Sequence, residues 1–308
     1  MELTNIYKKL TNNIKAYLLS QLASKKPASF ELKSANKVLF LRYDRIGDMI
    51  ITTPVFRELK RAYPNISITV LASKTNNEVL TNNPYIDHIV INHKNNFFSD
   101  IQSLLKLRKQ KFDVSIEFDH SVIPHTIIRL LIIKPKKIIS VKKNGRYGVS
   151  GDELSLYDYY TEKPKKNHFR DIWLGVLKPF NITPKSNAYD LFVSDELMSK
   201  AQNFTKQYSS NFLIGINLEG AVKGKKIKFS ELFNICRRLN QKDKNIQIII
   251  LSEPNNFQET SLNIQKMALN YVVMSYKTDN ILSVAALISQ LDLIITPDTS
   301  IVHIASAF

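Results

Sequence analysis

The chain has 308 residues, 44% of them hydrophobic, and a formal net charge of +16 from 43 Lys+Arg against 27 Asp+Glu. That length is comfortable for two domains, and that apolar content builds real cores and excludes a disordered chain. A single cysteine, Cys236, excludes an internal disulfide and fits a reducing compartment. No apolar run reaches the roughly 18 residues needed to span a bilayer, and the first residues lack the apolar block and cleavage site of a secretory signal. A cytosolic protein is expected. The basic excess is clustered at 134–146 and 223–228, without any helix-turn-helix, zinc-finger or RNP-type signature. Beside plain solvated surface, an anionic membrane or a phosphorylated substrate is therefore favoured over nucleic acid.

Residues 1–35 differ from the rest. Leu3, Ile6, Tyr7, Leu10, Ile14, Tyr17, Leu18 and Leu22 recur at three- and four-residue steps, with Lys8, Lys9 and Lys15 available for the polar side. The spacing predicts a basic amphipathic helix followed by a tether, suited to packing on its own domain or to docking on an anionic membrane face. From Lys37 onward strand and helix patterns alternate. Strands are predicted over 38–42, 67–72, 88–91, 113–118, 138–141, 213–217, 246–251, 271–274 and 292–296. Helices are predicted over 54–63, 76–82, 99–109, 121–131, 168–178, 195–208, 230–240, 258–268 and 281–289. Such alternation argues for an α/β protein with parallel sheets and crossover helices. The segment 178–190, with two prolines and several turn formers, reads as the junction between domains 36–185 and 186–308. Two doubly wound, Rossmann-like domains facing a cleft are expected.

In such sheets ligands bind at the carboxyl ends of the strands, and four loops there stand out. The first strand runs into Arg42-Tyr43-Asp44-Arg45-Ile46-Gly47-Asp48. Gly47 allows a tight turn or a close ligand approach, and Asp48 lies at or just before a helix start, where a carboxylate also serves as a cap. After strand 213–217, "LEGAVKGKKIK" holds two glycines and four lysines, a loop suited to a diphosphate. After strand 246–251, Glu253 and Asn256 are each able to accept a ribose hydroxyl. After the last strand, Thr299 and Ser300 with the N–H groups of the next helix form an anion site, with His303 one turn in. Neither a Gly-x-Gly-x-x-Gly loop nor a Walker loop occurs.

The Arg42–Asp48 turn with "TTPVFRELKRAYPN" after it, "NNPYIDHIV" at 82–90, "FDVSIEFD" at 112–119 and "DLIITPDTSIVHIASA" at 292–307 together resemble glycosyltransferase family 9, the heptosyltransferases of lipopolysaccharide core assembly. The likeness runs over about 36–308. It implies a GT-B fold, a nucleotide-sugar donor (ADP-heptose-like) held mainly by the C-terminal domain, and metal-independent inverting transfer to a lipid-linked glycan at the inner face of the cytoplasmic membrane. No cofactor beyond that donor is implied, and the absence of an Asp-x-Asp motif agrees with a metal-free site. The resemblance assigns Asp48 as general base, with Arg42, Arg45 and Gly47 on the acceptor side. Lys226 aligns with the lysine that contacts the diphosphate, and Asp298, Thr299, Ser300 and His303 match the motif contacting sugar and phosphate. Gly220, Ala221, Glu253 and Asn256 complete the expected donor side. A base and a donor on different domains make domain closure part of the expected cycle.

The sequence also departs from the family. Ser300 stands where glycine is usual, Gly220-Ala221-Val222 where hydroxyl residues are usual, and Ile227-Lys228 where an aromatic-Pro pair is usual. These changes leave the donor sugar open. The chain ends at Phe308 inside an apolar helix, where family members continue with another strand and closing helices. An incomplete C-terminal domain is therefore expected. The alternative reading is a catalytically weak or inactive truncated remnant that binds nucleotide sugar or acts as a scaffold.

Overall fold

A computed structural model of the chain describes residues 11, 18, 20, 21, 23, 30–92, 97–146, 149–150, 154–163, 166, 168–220 and 225–308. Most of the amphipathic 1–35 stretch and Ala221 lie outside the described residues. Within that stretch, Ala23 is fully buried in the core it shares with Leu104 and Leu107. Two compact units result. The first comprises Met1–Asp44, Ile51–Asn77 and Pro84–Ala188, and the second Arg45–Ile50, Glu78–Asn83 and Tyr189–Phe308.

The first unit is built on six parallel strands, β1 (Lys37–Arg42), β2 (Ser67–Ala72), β3 (His88–Ile91), β4 (Val114–Glu117), β5 (Lys137–Val141) and β6 (Tyr159–Thr161), in the order β3-β2-β1-β4-β5-β6. Burial on both faces explains the continuous apolar runs in β1 and β2. Helices α1 (Ile46–Ala62, in this unit from Ile51 onward), α2 (Phe97–Lys109), α3 (Pro124–Ile133) and α4 (Phe169–Leu174) accompany the sheet. On one face, Leu104 and Leu107 of α2 and Ile127, Leu130 and Ile133 of α3 pack over Leu39 and Leu41 of β1. Elsewhere in the unit Phe40 meets Phe56 edge-on at 4.8 Å and Phe118 lies 5.4 Å from Trp173.

Helix α1 begins eight residues before the predicted start, so Asp48 is inside its first turn rather than ahead of it. Pro54 reads as a helix start but is an interior residue, and Met49–Thr53 are buried all round, which erases the amphipathic period. The predicted helix over 76–82 is a 3-10 turn, Asn77–Leu80, and the short strand β6 was not predicted.

The strand entrances share one device. Asp87, Asp113 and Asp158 each directly precede a strand and accept a hydrogen bond from a backbone N–H at the start of the neighbouring one. The donors are Ile68 at 2.7 Å, Asn36 and Lys37 at 2.9 and 3.1 Å, and Ile138 at 2.8 Å. Lys60, Lys136 and Lys137 pair with the same three carboxylates. Burial alone would raise Asp113, but Lys136 and the two N–H groups outweigh it and hold the acid below the usual carboxylate range.

The unit ends in a segment clamped by α1. Arg57, buried, donates to the carbonyls of Ala188 at 2.8 Å and Ser186 at 2.9 Å, while Glu58 accepts from the Lys185 N–H at 2.8 Å and from Arg57 Nε at 3.0 Å. Three backbone positions of the junction, at Lys185, Ser186 and Ala188, are thus held by two side chains of one helical turn.

The second unit carries a parallel sheet of β7 (Phe212–Asn217), β8 (Ile246–Leu251), β9 (Val272–Met274) and β10 (Leu293–Ile295), in the order β10-β7-β8-β9. Its helices are α5 (Asp195–Thr205), α6 (Phe229–Lys242), α7 (Phe257–Met267), α8 (Ile281–Ile288) and α9 (Ser300–Ala305). Ile214, Ile216, Ile248 and Ile250 form the core with Leu232, Cys236 and Ile264. The strand-entrance device recurs here, with Leu213 N–H donating to Asp292 at 2.7 Å. Burial pushes the Cys236 thiol up to about 11, so it packs as an apolar group.

Candidate functional site

At the carboxyl ends of β1, β4 and β5 the first unit gathers charge inside an aromatic frame. This is where the strand order reverses, the usual ligand crevice of an open α/β sheet. Arg42, 3% exposed, holds its guanidinium 5.4 Å from the Phe118 ring and 5.2 Å from the Trp173 ring, and pairs with Asp44 at 3.0 Å. His120 lies 4.7 Å from Trp173 and 4.9 Å from Phe169.

Behind this frame sits a buried polar chain. Tyr43 Oη lies 2.6 Å from Thr126 Oγ1, and Thr126 donates to Asp119 Oδ2 at 2.7 Å. Arg129 covers the Tyr43 ring at 4.8 Å and bonds Asn92 at 3.0 Å and Asp100 at 2.8 Å. Lys143 is enclosed between the Glu117 carboxylate and the Asp119 carbonyl. Glu117 also accepts from Ser140 at 2.7 Å and from the Asp119 N–H at 2.7 Å. Burial, then the Glu117 charge, raises the Asp119 acid to about 6, against the opposing pull of Lys143 and Thr126. The same burial, with Asp119 beside it, pushes the Tyr43 phenol well up.

The residues expected on the acceptor side fall as follows, Arg42 in the first unit and Arg45, Gly47 and Asp48 in the second. Arg42 and Gly47 are buried, Arg45 is exposed, and Asp48 is half-buried as the third residue of α1. Tyr43, Glu117, Asp119, Thr126, Arg129 and Lys143 were not singled out by sequence. The quoted "FDVSIEFD" holds two of them and the basic run at 134–146 a third.

In the second unit the carboxyl ends of β7, β8 and β10 converge on Glu219. Its Oε1 accepts from Asn256 Nδ2 at 2.9 Å and Ser252 Oγ at 3.5 Å, while Oε2 is buried without a hydrogen-bond partner. Asn217 links two of the strand ends, donating to the Glu219 carbonyl at 2.9 Å and to Thr296 Oγ1 at 3.0 Å. Thr296 in turn lies 3.4 Å from Thr299 Oγ1, which caps α9 by accepting from the Ile301 N–H at 3.3 Å. Asp298 is exposed and pairs with Lys225 at 3.2 Å. Lys226 and Glu253 are exposed, and Ser300 and His303 are half-buried on α9. Gly220 is required here: a Cβ would stand 2.4 Å from the Lys225 carbonyl oxygen, so only glycine lets Lys225 approach the end of β7 this closely. Asn256, expected as a ribose contact, is engaged with Glu219. Neither Glu219 nor Asn217 was singled out by sequence. Among the described residues no group of three or more His, Cys, Asp or Glu side chains could hold a metal ion.

A family model described as glycosyltransferase family 9 (heptosyltransferase) matches residues 102–308, about two thirds of the chain. The chain belongs to glycosyltransferase family 9. It is thus a glycosyltransferase enzyme by family, and the Arg42–Asp48 turn lies ahead of the matched region. The chain is 23% identical over 278 residues to a lipopolysaccharide core heptosyltransferase, OpsX, of Haemophilus influenzae, spanning 89% of this chain and 77% of that one. Among solved structures, a family 9 glycosyltransferase of Veillonella parvula superposes with a TM-score of 0.72 at 20% identity, covering 92% of this chain and 80% of that one. The E. coli heptosyltransferase WaaC, solved with ADP, superposes with a TM-score of 0.67 at 13% identity, covering 88% and 84%. At these identities the structures establish the fold, which is GT-B. In this family 9 chain each unit gathers a cluster of polar side chains at the carboxyl ends of its parallel strands.

Proposed function

We propose that the chain moves a sugar of the heptose type from a nucleotide-sugar donor to a lipopolysaccharide-type, lipid-linked acceptor, with inversion, without a metal ion, and with Asp48 as general base. The observation that carries this reading is the half-buried carboxylate of Asp48, in the first helical turn after the central strand β1 of a family 9 chain. Asp48 takes the proton of the acceptor hydroxyl while that oxygen bonds to the anomeric carbon. The bond from that carbon to the diphosphate breaks on the opposite face, and the nucleoside diphosphate leaves with the electron pair.

The donor side of the reading is the second unit's cluster. Lys226, with Lys225 beside it, supplies positive charge to the leaving diphosphate, and Gly220 lets Lys225 stand close to the end of β7. Asp298, Thr299, Ser300 and His303 line the phosphate and sugar, with Glu253, Asn256 and the open oxygen of Glu219 as hydroxyl acceptors. The cation-rich loop gives the departing diphosphate the charge compensation that a metal ion gives in other transferases. On the acceptor side Arg42, Arg45 and Gly47 flank the base. The OpsX relative is named for lipopolysaccharide core and the WaaC structure holds ADP, which supports an ADP-sugar donor and a core-glycan acceptor here. Such an acceptor puts the enzyme at work on the inner face of the cytoplasmic membrane. No helix among the described residues is long and apolar enough to cross a membrane.

Asp48→Asn tests the reading. Transfer from an ADP-heptose-type donor should fall by about 10²–10⁴, with donor affinity within a few-fold of the unmutated protein. Full turnover by the variant would reduce Asp48 to a helix cap.

A further inference from the structure

We propose that the outer face of α2 and α3 docks the protein on an anionic lipid surface through Phe98, Leu105 and Ile128. The inference rests on the lipid-linked acceptor proposed above and names the surface that would bring the enzyme to it.

Phe98 is 84% exposed, and the next most exposed large apolar side chain among the described residues, Phe308, reaches 56%. A single exposed apolar residue needs no explanation, but a phenylalanine left almost wholly in water beside others does. Leu105, 46% exposed, follows Phe98 by seven residues on α2, so the two share one stripe. Helix α3 lies alongside: Arg129 pairs with Asp100 of α2 at 2.8 Å, and Arg108 of α2 reaches the Ile132 carbonyl at 3.4 Å. The inner residues Leu104, Leu107, Ile127, Leu130 and Ile133 fill the core, which leaves Ile128, 48% exposed, on the side of α3 turned away from it.

Charge selects the partner. The last turn of α2 holds Lys106, Arg108 and Lys109, all exposed, and exposed Lys134 ends α3 in a left-handed conformation. The two helices carry a single carboxylate, Asp100, already engaged by Arg129. Apolar tips set among cations with no uncompensated acid fit a headgroup layer rich in anionic lipid: the tips enter the acyl boundary and the cations meet phosphates. A protein partner of matching acidity would need an apolar socket for each tip, whereas a bilayer accepts them without shape complementarity.

The test uses the full chain with vesicles of phosphatidylglycerol and phosphatidylcholine and with vesicles of phosphatidylcholine alone. Phe98→Ser/Leu105→Ser/Ile128→Ser should bind the mixed vesicles at least tenfold more weakly than the unmutated protein, with an unchanged circular dichroism spectrum. Transfer to a delipidated acceptor fragment should be unaffected. A Phe98→Trp variant should gain quenching by brominated lipid in mixed vesicles, since the native Trp173 is only 1% exposed. Unchanged vesicle binding by the triple variant, or no added quenching, would overturn the proposal and return any membrane affinity to the 1–35 stretch. Loss of self-association in the triple variant, with vesicle binding intact, would make the face a contact between copies and overturn it equally. Absence of transfer to any acceptor, with lipid binding as expected, would refute the proposed reaction and leave the docking surface standing.

Discussion

Replacing Lys143 by methionine should unfold the first unit far more readily than its position on a loop suggests. The Lys143 side chain has no exposed surface and its partner Glu117 only 1%. Methionine keeps the aliphatic volume but leaves a carboxylate without its cation in a dry site. Removing one partner of a buried pair costs about 3–5 kcal/mol, most of it the penalty on the charge left behind. Ser140 and the Asp119 N–H continue to donate to Glu117, which favours the lower end, about 3 kcal/mol. Trp173, the sole tryptophan, is buried in the first unit, so its fluorescence follows that unit alone in a chain whose two units need not unfold together. With urea slopes of about 1–3 kcal/mol/M, the midpoint should drop by roughly 1–3 M. The double variant Glu117→Gln/Lys143→Met should recover most of the loss, since the stranded charge is gone. A single-variant loss under about 0.5 kcal/mol, or a double variant worse than the single, would refute the assignment of the cost to Glu117.

Three further outcomes follow from the sites described. Lys226→Ala should weaken donor binding roughly ten- to a hundredfold in calorimetry, and unchanged affinity would move the diphosphate contact to Lys225 or Lys223. Asp113, held below its ordinary range, stabilises the fold above about pH 4 and loses that contribution as acid titrates it, so Asp113→Asn should lower stability at pH 7 and flatten the decline below pH 4 in acid titrations followed by Trp173. An unaltered acid slope would assign the decline to other carboxylates. Arg57→Ala should free the 185–188 backbone, seen as faster hydrogen exchange there with protection of β1 and β2 retained; unchanged exchange would mean that Glu58 alone holds the segment.

The sheets were largely legible because buried parallel strands write their own signal: β2 and β8 begin and end where the apolar runs do. Helix α1 was half hidden because a helix buried on all sides loses its period. β6 escaped as a three-residue edge strand with Tyr159 exposed. The loops of the candidate site could be read from glycine, lysine and hydroxyl content, but their buried carboxylates could not. Glu219 is fixed by Asn256, 37 positions later, and Glu117 by Ser140, 23 positions later. Nothing local marks a carboxylate whose partners arrive only on folding. The strand-entrance aspartates did have a local mark, since Asp87, Asp113, Asp158 and Asp292 each sit one residue before a strand. That signal is weak at any one strand and clear only across all four.

The pairing order of the strands also sets a timetable for a nascent chain. β1 gains its β4 neighbour from residues about 76 positions downstream, and β7 gains β10 from residues 79 positions downstream. At about 5–20 residues per second, each of these central strands leaves the ribosome roughly 4–16 s before its second edge is covered. In that interval residues 38–41 and 213–216 present an unpaired edge of apolar strand, and among the described residues no hairpin partner shelters it, because the strand pairs of both sheets are parallel. The consequence is a dependence on holding chaperones during synthesis that would be felt twice, once per sheet, and that slowing translation would lengthen rather than relieve.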